Sequence, residues 1–289
     1  MTPVDAPPAW FTRALGQPPR QHDVAVEDRS VHVRTWGAPG PRPGVVLVHG
    51  GAAHSGWWDH VAPLLAVDRL VVAPDLSGHG DSSHTGHYST QEWAQEVVAV
   101  AQDAGLEAPH VVGHSMGGWV AVTAGADHPD VVGSVVVLDS PLLEQPPEEQ
   151  RLQHRRKPTR VYADRDEALS RFATIPAQDV VLPYVGRHVA EQSLRAVEGG
   201  WTWKFDPEMF GQRAPLRTLL PRLSCDRALF RCEHGLVSPD MADVMAGLLG
   251  EGAVVAELPD AGHHPMLDQP LALVAALRAL LGTWEARRR

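Results

Sequence analysis

Gly113-His114-Ser115-Met116-Gly117 joins a short β-branched run at residues 110–112 to a helical pattern at 116–126, and few folds accommodate such a junction. A serine at so tight a strand-to-helix turn is forced into a strained backbone conformation, and glycines two residues to either side relieve the crowding around it. The turn therefore demands a parallel sheet whose carboxyl edge carries the Ser115 hydroxyl. The amides that follow, beginning with Met116, open a helix and present its positive dipole to any charge forming on a substrate oxygen.

The rest of the chain supplies that sheet. Residues 45–48, 70–73, 110–112 and 132–138 read as strands, alternating with helical patterns at 57–65, 90–104 and 116–126. Apolar on both faces, these strands predict a mostly parallel sheet between helical layers. Residues 23–27 and 31–35 predict an antiparallel hairpin on one edge. The alternation resumes with a strand at 228–231, a helix at 240–249 and a strand at 254–258. It ends in a helix from Pro270 whose Leu273, Val274, Leu277, Leu280 and Leu281 form one apolar stripe. Between the two halves, residues 142–221 are rich in proline and charge, with helices expected near 165–172 and 187–197. This stretch reads as an insertion without a sheet of its own, and its run of mixed charge from Glu148 to Arg160 as a solvated face.

Composition narrows the class. With 289 residues, 44% hydrophobic and 21% charged, the chain can bury a sizeable core, which excludes a disordered tail or a disulfide mini-scaffold. A net charge of −10 without a long basic block argues against nucleic acid as a partner. Of the 25 basic residues only Lys157 and Lys204 are lysines, which reads as the coding bias of a GC-rich, bacterial genome and says nothing about chemistry. Cys225 and Cys232 are too sparse for a disulfide framework and wrongly spaced for a zinc knuckle. Residues 1–23 hold five prolines and no unbroken apolar run of the signal-peptide kind. Residues 271–284 contain Arg278 and fall short of the roughly 20 residues that span a bilayer. The expectation is a cytoplasmic protein with no membrane partner; the oligomeric state stays open.

A serine at its free pKa is a poor nucleophile and requires a base. His263, in Ala261-Gly262-His263-His264-Pro265 after the last strand, falls at the same edge of the sheet; its neighbour His264 is expected to pack the loop. His49-Gly50-Gly51-Ala52, at the end of the first parallel strand, can offer a Gly51 or Ala52 amide facing that of Met116, the pair an oxyanion hole needs. His79, His84 and His87 with Asp81 lack metal-ligand spacing and read as a surface loop, so no metal and no cofactor are expected.

Together the GHSMG turn, the HGG run, the segment Pro74-Asp75-Leu76-Ser77-Gly78-His79-Gly80-Asp81-Ser82-Ser83 and the final AGHH resemble the α/β-hydrolase superfamily. The resemblance implies a mostly parallel eight-stranded sheet flanked by helices. It divides the chain into a core of residues 1–141 and 222–289 and a helical cap, or lid, of residues 142–221. In the second motif it gives Asp75 and Asp81 a turn-shaping part. The sequence departs from the family at the acid: where an aspartate is expected after the next-to-last strand, Cys232-Glu233-His234-Gly235 has a glycine. Some members place the acid one strand earlier, and here that strand ends in Asp139, which becomes the first choice; Glu233 remains the alternative.

Nine of the chain's aromatics are tryptophans, several beside these motifs. Trp58, Trp201 and Trp203, with His114 beside the nucleophile, are the candidates for lining an apolar substrate pocket. The resulting expectation is a cofactor-free serine hydrolase acting on a small carboxylic ester or lactone through Ser115, His263 and Asp139, with Gly51 and Met116 amides holding the oxyanion. Carbon–carbon bond hydrolysis and acyl transfer use the same machinery. Gly235 also leaves room for a different class, a ligand-binding protein on a hydrolase scaffold.

Overall fold

The computed structural model describes residues 6–143, 160–210 and 214–287. After helix α1 (Ala9–Leu15) come strands β1 (Arg20–Val26), β2 (Arg29–Gly37) and β3 (Val45–Val48), a single 3-10 turn (Ser55–Trp58) and α2 (Ala62–Leu65). Next are β4 (Leu70–Pro74), α3 (Thr90–Asp103), β5 (His110–His114), α4 (Met116–Asp127) and β6 (Ser134–Leu138). The expected single helix over 57–65 is thus two short pieces. Eight strands form one sheet in the order β1-β2-β4-β3-β5-β6-β9-β10, where β9 is Asp226–His234 and β10 is Val254–Gly262. Only the β1–β2 hairpin and its junction with β4 are antiparallel.

Alternation along each central strand feeds two cores. Val46, Val48, Val111, Val135 and Val137 face α3 and α4, whereas Val45, Leu47, Val112, Val136 and Leu138 face α1, α2 and the C-terminal helix. Burial on both sides explains why these strands are continuous β-branched runs. Ser89 caps α3: its hydroxyl accepts from the Glu92 amide and donates to the Glu92 carboxylate.

The segment between β6 and β9 carries α5 (Arg165–Ser170), α6 (Pro183–Gln192), β7 (Leu194–Val197), β8 (Gly200–Trp203) and α7 (Leu216–Leu219). It does have a small sheet, which corrects the expectation that it has none. β7 and β8 pair antiparallel, Leu194 opposite Trp203 and Val197 opposite Gly200. The helix expected over 187–197 ends at Gln192 because the hairpin begins there. The charge run expected as a solvated face lies almost wholly outside the described residues. Beyond β9 the chain forms α8 (Pro239–Leu249), β10, α9 (Pro265–Asp268) and α10 (Pro270–Arg287), whose five stripe residues are all buried. No described helix is long and apolar enough to cross a membrane.

Candidate active site

Ser115 heads α4 directly after β5, with φ 53° and ψ −119°. That conformation is unfavourable for any L-residue and survives only because its surroundings fix it. The Ser115 N–H donates to the Leu138 carbonyl at 2.9 Å. A Cβ at Gly113 would strike the Gly117 carbonyl, and one at Gly117 the carbonyls of Val48 and His49. The spacing seen in the sequence is therefore a steric requirement of this turn.

His263 Nε2 lies 2.9 Å from Ser115 Oγ, and its Nδ1 2.7 Å from Asp139 Oδ2. Both bonds are satisfied when Nδ1–H donates to Asp139 and Nε2 accepts from the serine hydroxyl. Asp139 is fully buried at the end of β6 with φ 46°. Its Oδ1 accepts from the amides of Cys232 and Val237, and its Oδ2 from Leu236 at 2.7 Å. Three backbone donors and one imidazole make a buried carboxylate tolerable there.

The same geometry explains Gly235. A Cβ built on Gly235 would fall on the Asp139 carboxylate, so an acid from β6 and a side chain at the end of β9 exclude one another. Gly235→Ala is accordingly expected to cost about 1–3 kcal/mol through overpacking and to lower activity with it. Thermal unfolding beside a kinetic assay checks this; a variant as stable and active as the parent would contradict it. Glu233, the alternative acid, is exposed and accepts from the Asp260 amide at 2.8 Å, with no bond to His263.

The histidine loop has supports that sequence reasoning missed. β10 shifts register between Leu258 and Gly262, a bulge that re-aims the chain leading to His263. Asp268 Oδ2 then accepts from the Gly262 amide at 2.6 Å and from Gln178 Nε2 at 2.9 Å, while Gln178 Oε1 accepts from the His264 amide. Burial pushes Asp268 up to about 6. Gln178 comes from the segment between β6 and β9, so that segment straps the loop. Neither Asp268 nor Gln178 carried a signal that would tie it to the histidine loop.

His114 does not line a pocket. It is buried, and its Nε2 donates to the His263 carbonyl at 2.7 Å, tying the serine turn to the histidine loop. Burial, reinforced by His263 and His264, holds it well below the ordinary histidine range. The rings of His114, His263 and His264 pack at centroid distances of 4.7 to 5.2 Å, with possible ligand atoms all within 4.8 Å of one another. Yet Ser115 and Asp139 already occupy both nitrogens of His263. His79 departs from the surface-loop expectation: it is fully buried between His49 and Trp93, while His84 and His87 are exposed. Asp75 holds its turn by accepting from the amides of Ser55 and Asp81.

Gly51 follows β3 close to the serine turn; a Cβ on it would sit 3.8 Å from Met116 Sδ. Among the described residues, the amides of Gly51, Ala52 and Met116 donate to no protein acceptor. Gly51 also borders a cavity of about 240 Å³ lined by Trp57, Phe172, Trp203 and Phe205. Trp203 is thus at the pocket, but Trp58 is not. The 3-10 turn points Trp58 into the core at zero exposure and leaves Trp57 at the wall. Trp201 packs instead with Tyr162 and Leu194, under the guanidinium of Arg165. A larger cavity of about 720 Å³ borders Arg42, Asp68, Arg69 and Arg278, next to the amino ends of β3 and β4 and therefore opposite Ser115.

Known proteins resemble this chain in sequence and fold. The chain is 30% identical to the Mycobacterium tuberculosis esterase Rv0045c over 271 residues, 89% of this chain and 88% of that one. A solved structure of that esterase superposes with a TM-score of 0.75 at 26% identity, covering 94% and 96% of the two chains. The lipase LipV of the same organism is 27% identical over 87% of this chain and 98% of its own. E-2-(acetamidomethylene)succinate hydrolase shares the fold, with a TM-score of 0.78 at 22% identity over 91% and 99% of the chains. The profile described as the Alpha/beta hydrolase family matches residues 45–277, the span that runs from β3 through the serine turn to α10. By that match and by its eight-stranded sheet, the chain belongs to the alpha/beta hydrolase family.

Proposed function

We propose that this chain is a serine hydrolase that cleaves a carboxylic ester or lactone through an acyl-enzyme. The observation that carries the reading is the unbroken hydrogen-bonded run from Ser115 Oγ through His263 to Asp139; relatives named esterase and lipase support the substrate class. His263 Nε2 takes the Ser115 proton as the hydroxyl oxygen attacks the carbonyl carbon. The resulting oxyanion is met by the Gly51 and Met116 amides, each worth about 3 kcal/mol of barrier lowering. His263 then protonates the leaving alcohol. Water, deprotonated by the same nitrogen, releases the acid and restores Ser115. Residues 142–221 act as a cap over this site, with Gln178 as its latch on the histidine loop.

Labelling with a fluorophosphonate, alongside a panel of aryl and alkyl esters, lactones and diketones, tests the reading. The parent is expected to form one adduct, on Ser115, and to turn over esters or lactones. Ser115→Ala is expected to lose the adduct and at least about 10⁴-fold in kcat. A parent that neither labels nor hydrolyses would favour the ligand-binding protein, and turnover confined to diketones would favour the carbon–carbon hydrolase.

A further inference from the structure

The charge around the 240 Å³ cavity is unlike that of the rest of the chain. The protein carries ten more acidic than basic residues, yet the residues bordering this cavity include two cations, Arg171 and Lys204, and no carboxylate. Arg171 follows α5, and among the described residues its guanidinium makes no hydrogen bond or ion pair. The Lys204 side chain is only 14% exposed and meets Asp81 at 2.7 Å, a partner whose own side chain is 41% exposed. His54, which also lines the cavity, bonds Ser193 Oγ at 2.9 Å. Burial first, and then the positive charges of Arg34 and Lys204, hold His54 well below the ordinary histidine range. The polar side of this wall is therefore cationic or neutral.

The lining is otherwise rich in aromatics. Trp57, Phe172, Trp203 and Phe205 suit a short apolar body and carry only two indole N–H groups as polar atoms. Arg171 is exposed and, among the described residues, has no protein counter-charge at the edge of a largely aromatic pocket, and a cation so placed favours an anionic ligand through its local potential. Resting on the esterase reading above, we propose that this pocket selects a small ester bearing a carboxylate, whose anionic end meets Arg171 and Lys204 while its carbonyl lies beside Gly51. The same chemistry has two possible sources, a carboxylate on the acyl chain or one on the alcohol.

Two matched pairs of esters distinguish them. One compares the mono-4-nitrophenyl ester of adipic acid with its neutral adipamate counterpart; the other compares 4-acetoxybenzoate with 4-acetoxybenzamide. In one pair the anionic member is expected to have a kcat/KM about tenfold higher, carried by KM, and that advantage should shrink as salt rises. The pair that shows it identifies which side of the ester enters the pocket. Arg171→Gln is expected to bring the anionic-to-neutral ratio close to one and Arg171→Glu to invert it. A parent that hydrolyses the neutral esters as well as or better than the anionic ones overturns the proposal and leaves the esterase reading intact. So does a ratio that neither Arg171 variant moves. Failure of the parent to hydrolyse any of the four overturns the proposal, and failure also to form the fluorophosphonate adduct overturns the esterase reading with it.

Discussion

Asp139→Asn is expected to lower kcat by about 10⁴, the loss seen when a triad acid becomes an amide and the imidazole is left in the wrong tautomer. The hydrogen bonds around Asp139 give each amide orientation its own penalty, and one of them produces that tautomer. Oδ1 faces the amides of Cys232 and Val237, and Oδ2 faces the Leu236 amide and His263 Nδ1. An asparagine NH₂ at the Oδ2 position confronts two donors and drives the His263 proton to Nε2, where it blocks acceptance from Ser115. Turned the other way, it confronts the Cys232 and Val237 amides. Either orientation leaves buried donors unpaired, so about 1–3 kcal/mol of stability should be lost as well. The kinetic loss must therefore be measured per folded site, with Tm recorded in parallel. Glu233→Gln is the control: its carboxylate accepts only the exposed-loop amide of Asp260, and kcat should stay within about threefold of the parent, far from a triad-scale loss. If Asp139→Asn stays within that range, the acid assignment fails.

How much of this was legible in the sequence depended on how local the physics is. The serine turn was legible because strain at Ser115 requires Gly113 and Gly117 at fixed offsets. The parallel strands near it were legible as uninterrupted β-branched runs, since burial on two faces favours that composition; their order in the sheet was not. Gly235 was legible only as a departure; its reason appears once Asp139 is seen in the volume its Cβ would fill. The β7–β8 hairpin was written in Leu194-Arg195-Ala196-Val197 and Trp201-Thr202-Trp203 around Glu198-Gly199, but a preceding helical pattern absorbed the first strand. Trp57 and Trp58 are one residue apart, so only the rotation of the 3-10 turn decides which is core and which is pocket. His79 was hidden for a similar reason: polar neighbours at 81, 84 and 87 suggest a surface, while contacts with His49 and Trp93 come from other parts of the chain.

Those buried histidines set the second large effect, a loss of stability on mild acidification. Burial holds His49 and His60 down to about 4, and His79 and His264 to about 3. His54 and His114 are also held well below the usual range by burial and neighbouring cations or imidazoles. A histidine whose folded pKa is lowered binds a proton in the unfolded chain that it refuses in the folded one. Its contribution is therefore present above about pH 6.5 and is lost as pH falls toward 4, at up to about 1.4 kcal/mol per pH unit for each group. Two carboxyls act in the opposite sense. Burial raises Glu96 to about 7 and Asp268 to about 6, so their contribution is present at low pH and declines as pH rises through 4.5 to 7. Six groups outweigh two, and a net uptake of even three protons removes about 4 kcal/mol per pH unit from a total typically of 5–15 kcal/mol. Denaturant unfolding at pH 7.5, 6.5, 5.5 and 4.5 should show ΔG falling steeply below 6.5, with the fold lost before pH 4. An unfolding free energy that changes by less than the equivalent of one proton across that range would mean these histidines are solvated in the folded chain. Kinetic assays in acid consequently have to be made above the unfolding transition, where a loss of rate reports on the site and not on the loss of the sheet that carries it.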